Sequence, residues 1–304
     1  MLTAVTGINW GDEGKGRVID LLAEKADIVV RYQGGNNAGH TVVTDAGKFI
    51  LNLLPSGIIH PDVVCVLGDG MVVDLEHLAS EIQSIRDKGV AVSPANLKLS
   101  ARATISMPWH RVQDELEEAR LAKTGSAFGS TKRGIAYAYS DKYRKKTLRM
   151  GDLLHLDEEN IKARLKIMLE AKNLELAGCY HQNEMSYNAL LSWCKKQADL
   201  FAPYICDTGS YLSDALKRGK KVVLEAQLGA MRDIDYGIFP YTSSSSTISA
   251  YGPIGAGIPG EQLDHVVGVL KAYSTCVGAG PFVAEKAENE SWKNTLREAG
   301  GEYG

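Results

Sequence analysis

Short apolar runs alternate along the chain with longer segments whose apolar residues recur at helical spacing. The runs predict buried strands at residues 2–8, 27–32, 49–54, 63–67, 222–225 and 266–270. The longer segments predict a first helix containing Val18, Leu21 and Leu22, and further helices at residues 75–88, 108–123, 158–171, 184–200 and 210–218. Strands separated by helices are typical of an α/β protein, so we expect a mainly parallel central sheet flanked by helices.

The composition narrows the class of protein. The chain has 304 residues, of which 44% are hydrophobic and 23% are charged, as is ordinary for a soluble globular protein of one or two domains. A net charge of −3 gives no basic surface for nucleic acid, and no apolar run reaches the ~18 residues of a membrane helix. The 5 cysteines form no CxxC pair and the amino terminus carries no secretion signal, so we expect a cytoplasmic protein with reduced thiols.

A first glycine-rich segment, residues 7–16 (GINWGDEGKG), lies between the first predicted strand and the first predicted helix. Its glycines allow the backbone to approach a phosphate, the helix N-terminus attracts negative charge, and Lys15 adds a positive charge. The segment is not a Walker A loop, because Gly16 stands where that motif carries the hydroxyl ligand of magnesium. Asp12 is the candidate replacement ligand, or a base. A tight strand–helix turn would explain one glycine, but not an acidic residue within the loop.

A second glycine-rich segment, residues 33–41 (QGGNNAGHT), follows the second predicted strand. Ligands of open α/β sheets bind beyond the carboxyl ends of the strands, so we expect both segments to open at one edge of the sheet. His40 lies among polar residues, which favours a role as an acid or as a group that stabilises negative charge. The other histidines lack such surroundings, and we interpret them as structural or surface residues: His60, His77, His110, His155, His181 and His265.

Together these segments resemble the signature of the adenylosuccinate synthetase family, at residues 10–16 (WGDEGKG) and 33–41 (QGGNNAGHT). Further blocks agree in order at residues 53–58 (LLPSGI), 129–135 (GSTKRGI), 233–245 (DIDYGIFPYTSSS) and 270–282 (LKAYSTCVGAGPF). The resemblance implies a P-loop-type α/β fold over residues 1–304, as a single domain with a helical insertion at about residues 105–200. It also implies a homodimeric purine nucleotide ligase, which joins L-aspartate to inosine monophosphate (IMP) with hydrolysis of GTP through a 6-phosphoryl intermediate.

The resemblance further implies roles for individual residues. Asp12 would remove the N1 proton of the purine so that O6 attacks the γ-phosphate of GTP, and His40 would stabilise the charge and aid departure of the phosphate. Asp12 and the carbonyl of Gly39 would hold Mg²⁺. The residues implied in GTP binding are Gly11, Asp12, Glu13, Gly14, Lys15, Gly16, Gly39, His40 and Thr41. Those implied in IMP binding are Asp12, Lys15, Asn37, Ala38, Gly39, His40, Thr131, Lys145, Gln227, Ser243 and Val277. Arg133 would face aspartate.

The chain departs from the family pattern mainly in the ligand pocket. An ungapped alignment places Leu228 at the purine-contacting glutamine, although a shift of one residue would supply Gln227. Lys132 replaces a glycine, and Lys145 replaces an arginine that a neighbouring subunit contributes to the monophosphate site. We expect the family's C-terminal part to be absent, because the 304 residues contain neither its aspartate-binding loop nor its guanine-recognising Asn/Thr-Lys-x-Asp element.

Two alternatives therefore stay open at this point. One is a divergent relative that uses another purine nucleotide or another amino donor, and the other is a non-catalytic nucleotide-binding remnant. The sequence also does not distinguish GTP from ATP as the phosphoryl donor.

Overall fold

A parallel sheet of seven strands organises the chain in the computed structural model, which describes residues 1–44, 47–127, 129–276, 280–282 and 290–300. Within those residues the strands are β1 (Leu2–Gly7), β2 (Ile28–Arg31), β3 (His40–Thr44), β4 (Gly47–Leu51), β5 (Val64–Leu67), β6 (Val72–Val73), β7 (Leu97–Ser100), β8 (Thr104–Ile105), β9 (Ile205–Cys206), β10 (Val222–Gly229) and β11 (His265–Val269). The strand order is β11-β1-β10-β2-β5-β7-β9, and every adjacent pair is parallel.

Helices follow most of the strands. They are α1 (Lys15–Ala23), α2 (Leu75–Asp87), α3 (Pro108–Ala122), α4 (Ile135–Arg144), α5 (Glu159–Tyr180), α6 (Tyr187–Phe201), α7 (Thr208–Lys217), α8 (Gly252–Ala256) and α9 (Glu290–Gly300). Strands β1 and β2 are buried along their whole length, as expected for a parallel sheet with both faces covered. The prediction of an α/β protein with a mainly parallel central sheet is confirmed.

Several elements differ from the prediction. The strand predicted at residues 49–54 ends at Leu51 and pairs with β3 in an antiparallel hairpin outside the main sheet. It stops there because the backbone N–H groups of residues 52, 53 and 54 all donate to the buried carboxylate of Glu81, at 2.8, 3.0 and 3.2 Å. Helix α4 was not predicted. Its buried residues Ile135, Ala138 and Tyr139 have helical spacing, but the alternation of Ile135, Tyr137 and Tyr139 mimics a strand.

Helices α3 to α6 occupy most of the segment in which a helical insertion is predicted, and they contain a buried polar cluster. The Lys172 ammonium lies 2.9 Å from Asp141 and 2.8 Å from Glu175, and Nε2 of His110 lies 3.0 Å from the same oxygen of Asp141 that Lys172 contacts. The division of the chain into a domain and an insertion stays a prediction. Among the described residues, no helix has the length and apolar character needed to cross a membrane.

Strand β10 contains a β-bulge close to the candidate site. Val5 of β1 lies opposite Glu225, but Gly7 lies opposite Gly229. Over this length β10 therefore contains two more residues than β1, which makes it a β-bulge. Leu228 accommodates the extra length with φ of 64°, in the left-handed region. The bulge lies at the carboxyl end of β10, between the ends of β1 and β2.

Candidate active site

The first glycine-rich loop, residues 8–14, joins β1 to α1 and folds around the carboxylate of Glu13. One oxygen of this carboxylate accepts hydrogen bonds from the backbone N–H groups of Asn9 at 3.0 Å and Gly11 at 2.8 Å. The other oxygen accepts a bond from the ammonium of Lys15 at 2.8 Å. Glu13 therefore fixes the curvature of the loop backbone, and its own buried charge is compensated by Lys15.

Lys15 is the first residue of α1 and is buried. Burial lowers the pKa of Lys15, and the Glu13 carboxylate offsets this effect only in part. The Lys15 ammonium also donates to the carbonyl of Gly11 at 3.1 Å. Gly14, immediately before the helix, has φ of 80°, which side-chain-bearing residues rarely adopt. A helix N-terminus and a fixed cation thus lie together, and this combination suits a phosphate group.

Asp12 is the more accessible acidic residue of the loop, with 43% of its side chain exposed. The hydroxyl of Thr275 donates to its carboxylate at 2.6 Å, and the ammonium of Lys271 lies 3.4 Å from the same oxygen. Both residues follow β11, and Ser274 of the same segment accepts a bond from the Asn9 side chain at 3.1 Å. Asp12 is therefore a carboxylate that a ligand or a cation can reach.

Helix α1 packs directly on the second glycine-rich segment. A Cβ atom placed on Gly16 would lie 3.5 Å from the Cβ of His40 and 3.5 Å from the carbonyl oxygen of Thr41. Since β3 begins at His40, the start of α1 and the start of the hairpin meet at one place. The structure therefore brings the two glycine-rich segments together at the carboxyl edge of the sheet.

His40 is buried and is held by a carboxylate of the central strand β10. Its Nδ1 atom lies 2.6 Å from Glu225, which also accepts bonds from the backbone N–H and the hydroxyl of Ser56, both at 2.8 Å. Burial lowers the pKa of His40, the nearby Arg31 lowers it further, and the hydrogen bond with Glu225 opposes both effects. The imidazole is therefore neutral near pH 7. No side chain in the described part of the structure hydrogen-bonds to its Nε2 atom, which is left for a ligand.

The bulge of β10 connects this strand to the second segment through Gln227. The buried amide of Gln227 accepts a bond from the backbone N–H of Gly35 at 3.1 Å and donates to Asn37 at 3.1 Å. The Gln33 side chain donates to the carbonyl of Gln227 at 2.6 Å. The side chain that enters this network is thus Gln227 and not Leu228, which supports the one-residue shift suggested by the sequence.

The serine-rich loop lies against the same network. Ser245 donates to the side chain of Gln33 at 3.0 Å, and the Ser243 hydroxyl lies 3.2 Å from that of Ser245. Asp233 shapes this loop, since its carboxylate accepts the backbone N–H of Thr247 at 2.6 Å. Ser243 is therefore placed beside the second glycine-rich segment.

The segment before α4 approaches the second loop from the helical region. A Cβ atom on Gly35 would collide with the side chain of Ile135, the first residue of α4, and the Tyr139 hydroxyl accepts the N–H of Gly34 at 2.9 Å. The exposed Thr131 and the half-buried Arg133 immediately precede this end of the helix. Both residues therefore lie on the side of α4 that meets the second loop.

Lys145 lies at the other end of α4. The helix has 10 residues, which span about 15 Å at a rise of ~1.5 Å per residue. Lys145 is exposed there, so the chain does not bring it together with the other candidate residues. Val277 lies outside the described residues.

The residues implied in metal binding fit Mg²⁺ in their chemistry. Among the residues that the structure describes, no group of three His, Cys, Asp or Glu side chains is gathered to hold a metal ion. A single accessible carboxylate, Asp12, and the carbonyl of the exposed Gly39 are oxygen donors. Mg²⁺ commonly takes one or two carboxylates together with water and substrate phosphates, so this small donor set suits it.

A family model described as adenylosuccinate synthetase matches residues 4–304. The chain belongs to this family. Adenylosuccinate synthetases of Caldicellulosiruptor bescii and Carboxydothermus hydrogenoformans are 45% and 44% identical to it. The alignments cover 100% and 98% of the chain, and 69% and 68% of the relatives.

One solved structure agrees with the family assignment, and a second shares the fold. The fully ligated adenylosuccinate synthetase of Plasmodium falciparum matches with a TM-score of 0.88 and 37% identity, over 99% of this chain and 68% of that one. The cyanophage S-2L succinoaminodeoxyadenylate synthetase matches with a TM-score of 0.58 and 21% identity, over 88% and 63%, and shows a similar fold.

The known function of the adenylosuccinate synthetase family is the joining of L-aspartate to IMP with GTP. The chain is accordingly a GTP-dependent ligase of purine biosynthesis, and the prediction of this function from the sequence is confirmed. The roles of individual residues and of Mg²⁺ stay predictions.

The sequence interpretation missed two groups of residues at the site. Glu225 and Arg31 are charged residues within otherwise apolar strands, and that position was itself a signal, because charged side chains are rarely buried without a purpose. Lys271 and Thr275 gave no such signal, because only the fold places the segment after β11 over Asp12.

Proposed function

We propose that the two glycine-rich segments bind GTP and IMP side by side, so that Asp12 and His40 act on the 6-oxygen of the purine. The main support for this proposal is that Gly16, in the first turn of α1, lies against His40. A helix terminus suited to phosphate and an imidazole are therefore neighbours. The carboxyl ends of β1, β10 and β2 supply the remaining groups.

The chemistry requires a base and an activated oxygen. The 6-oxygen of IMP is a poor leaving group, so an amine does not displace it unaided. Asp12 takes the N1 proton, O6 attacks the γ-phosphorus of GTP, and GDP leaves. The amine of L-aspartate then attacks C6, the C6–O6 bond breaks, and O6 departs with the phosphate, which takes up the proton that the amine loses.

His40 stabilises this transfer from the other side. When Nε2 carries a proton it donates to the transferring phosphoryl group and to the departing phosphate, while Glu225 accepts the Nδ1 proton throughout. The Lys15 ammonium and the N-terminal N–H groups of α1 compensate the charge of the phosphates. GTP therefore lies along residues 11–16 and 39–41.

IMP lies against the second segment and the bulge of β10. Asn37 and Ser243 present amide and hydroxyl groups there. The buried Gln227 supports this wall from behind through its bonds to Gly35 and Asn37. Thr131 reaches the monophosphate from the segment before α4. Asp12 and Gly39 would hold Mg²⁺, which when bound neutralises negative charge on the phosphates.

Two basic residues at opposite ends of α4 have separate proposed partners, L-aspartate and a second subunit. Arg133, next to the end of α4 that meets the second loop, faces the aspartate carboxylates. Lys145 lies about 15 Å along α4 from that end, so we assign it to the monophosphate site of a partner in a homodimer.

The direct test is incubation of the chain with IMP, GTP, Mg²⁺ and L-aspartate. We expect equal amounts of phosphate and of the 6-substituted product, measured by phosphate assay and mass spectrometry. Asp12→Asn is expected to lower kcat by on the order of 10²–10⁴, the usual contribution of an acid–base group.

Asp264→Asn is the matched control. Asp264 is also accessible, but it lies before β11 at the amino-terminal end of the sheet, where it accepts the N–H of Leu2 at 2.6 Å. We expect this variant to retain kcat. Absence of the product with the wild-type chain, or full activity of Asp12→Asn, would contradict the proposal.

A further inference from the structure

Glu225 is a carboxylate in the middle of an apolar strand. It is completely buried on β10, between residues such as Leu224 and Ala226, and the strand itself lies in the interior of the sheet. Burial of an ionised carboxylate is very unfavourable unless charges and donors surround it. The charges and hydrogen-bond donors around Glu225 therefore indicate its protonation state and its role.

Arg31 supplies the opposite charge. It lies directly across from Glu225 on the neighbouring strand β2, with Nη1 3.9 Å from the carboxylate. All three guanidinium nitrogens of Arg31 are buried, and none has a hydrogen-bond partner among the residues that the structure describes. Because a guanidinium stays charged in proteins, Arg31 is compensated chiefly by the field of an ionised Glu225.

The hydrogen bonds of Glu225 point to the same state. Burial by itself would raise the pKa of Glu225, but His40, Arg31 and the N–H of Ser56 hold that pKa below its usual value. An ionised carboxylate only accepts hydrogen bonds. At a separation of 2.6 Å, Nδ1 of His40 must therefore carry the proton.

We infer that Glu225 is a positioning residue for the ligase reaction: it orients the ring of His40 and keeps a proton on Nδ1, so that Nε2 faces the phosphoryl group and donates to it when it is protonated. This inference rests on the proposed role of His40. Glu225 touches no reacting atom. It acts as the carboxylate does in Ser-His-Asp enzymes, where the acidic residue sets the tautomer and orientation of the imidazole.

Glu225→Gln separates this role from a purely structural one. The backbone N–H of Ser56 donates at 2.8 Å to one oxygen of Glu225, so the amide of the variant must place its oxygen there. Its NH₂ group then faces His40. Nδ1 must accept this bond and the ring proton moves to Nε2. His40 in the variant therefore cannot carry protons on both nitrogens at once, which its proposed role as a charged donor requires.

The kinetic test compares Glu225→Gln with Glu81→Gln. Glu81 is also a buried carboxylate that accepts backbone N–H groups, but it makes no hydrogen bond to His40. We expect Glu225→Gln to lower kcat on the order of 10³-fold with KM values for IMP and GTP within a few-fold. Glu81→Gln is expected to keep kcat within a few-fold. Equal losses of kcat in both variants, or a change in KM alone, would overturn the inference.

Nitrogen-15 NMR of labelled histidine tests the tautomer without any need for turnover. The signals of His40 are assigned by their absence from His40→Asn. We expect the Nδ1–H form in the wild-type chain and the Nε2–H form in Glu225→Gln. A wild-type Nε2–H form would overturn the inference even in an active enzyme, whereas an inactive wild-type chain with the Nδ1–H form would contradict only the proposed function.

Discussion

Two buried histidines in this molecule have the same kind of partner and different surroundings. His40 lies 2.6 Å from Glu225 at the edge of the sheet, and His110 lies 3.0 Å from Asp141 among the helices α3, α4 and α5. In both cases burial is the largest influence and lowers the pKa of the histidine. Neither burial nor electrostatics therefore distinguishes them.

The second ring nitrogen distinguishes them. The backbone N–H of Met107 donates to Nδ1 of His110 at 3.0 Å, and Nε2 of the same ring binds Asp141. Both nitrogens of His110 are thus used within the fold. Only Nδ1 of His40 is engaged by Glu225 in this way, and the ring adjoins a phosphate-binding helix terminus. A buried His–carboxylate pair is available for chemistry when one nitrogen remains.

The largest expected effect comes from exchanging each histidine for asparagine. His40→Asn is expected to lower kcat by on the order of 10²–10⁴. His110→Asn is expected to retain kcat in the folded fraction and to lower the free energy of unfolding by ~1–3 kcal/mol, because Met107 and Asp141 lose a buried partner. Steady-state kinetics and urea unfolding measure the two quantities. A loss of kcat in His110→Asn, with His40→Asn active, would reverse our assignment.

The buried polar cluster around Lys172 is expected to stabilise the fold and to have no part in catalysis. Lys172 is buried between Asp141 and Glu175, so Lys172→Met leaves the buried Asp141 carboxylate with only the half-exposed Arg144, 3.5 Å away, as a compensating cation. The variant is expected to cost about 3–5 kcal/mol of unfolding free energy. We expect kcat of the folded fraction to be unchanged. Lys162→Met, in an exposed pair with Glu159 on the same helix, is the control and should leave the unfolding free energy unchanged. If both variants unfold like the wild type, the cluster does not stabilise the fold.

The pH dependence of stability provides the third prediction. Because burial lowers the pKa of His110, the unfolded chain binds its proton near pH 6.5 whereas the folded chain does so only at lower pH. Between these values the unfolded state holds more protons, so stability falls as the pH decreases below about 6.5, by at most ~1.4 kcal/mol per pH unit for one histidine. His110→Asn should lose this component and show a shallower slope in urea unfolding. Identical slopes would contradict it.

The sheet was predictable because its strands are apolar on both faces and because helices separate them. Even so, the hairpin of β3 and β4 and the helix α4 were not placed correctly. The end of β4 depends on the carboxylate of Glu81, which is 30 residues away from Leu51 in the sequence and close only in the fold. Such tertiary hydrogen bonds leave no local pattern.

The candidate site was predictable where it is continuous in sequence. Asp12, Lys15 and His40 lie in two short glycine-rich segments, and parallel strands necessarily bring such segments to one edge. Glu225 comes to this edge only through the strand order, in which β10 lies between β1 and β2 although it is far from both in sequence. The pairing with His40 follows from that order and from no motif.

The smallest expected effect sharpens the comparison most directly. Ser56→Ala removes the hydroxyl that donates to Glu225 at 2.8 Å but keeps the backbone N–H that donates to the other oxygen. Because the carboxylate and its bond to His40 persist, kcat should fall only by about 2–10-fold, as expected for one hydrogen bond of ~0.5–1.5 kcal/mol. The NMR signals should still show the Nδ1–H form of His40. A loss as large as that of Glu225→Gln, with the tautomer unchanged, would contradict this expectation. It would mean that the orientation of the carboxylate limits kcat more than the tautomer that the carboxylate sets in His40.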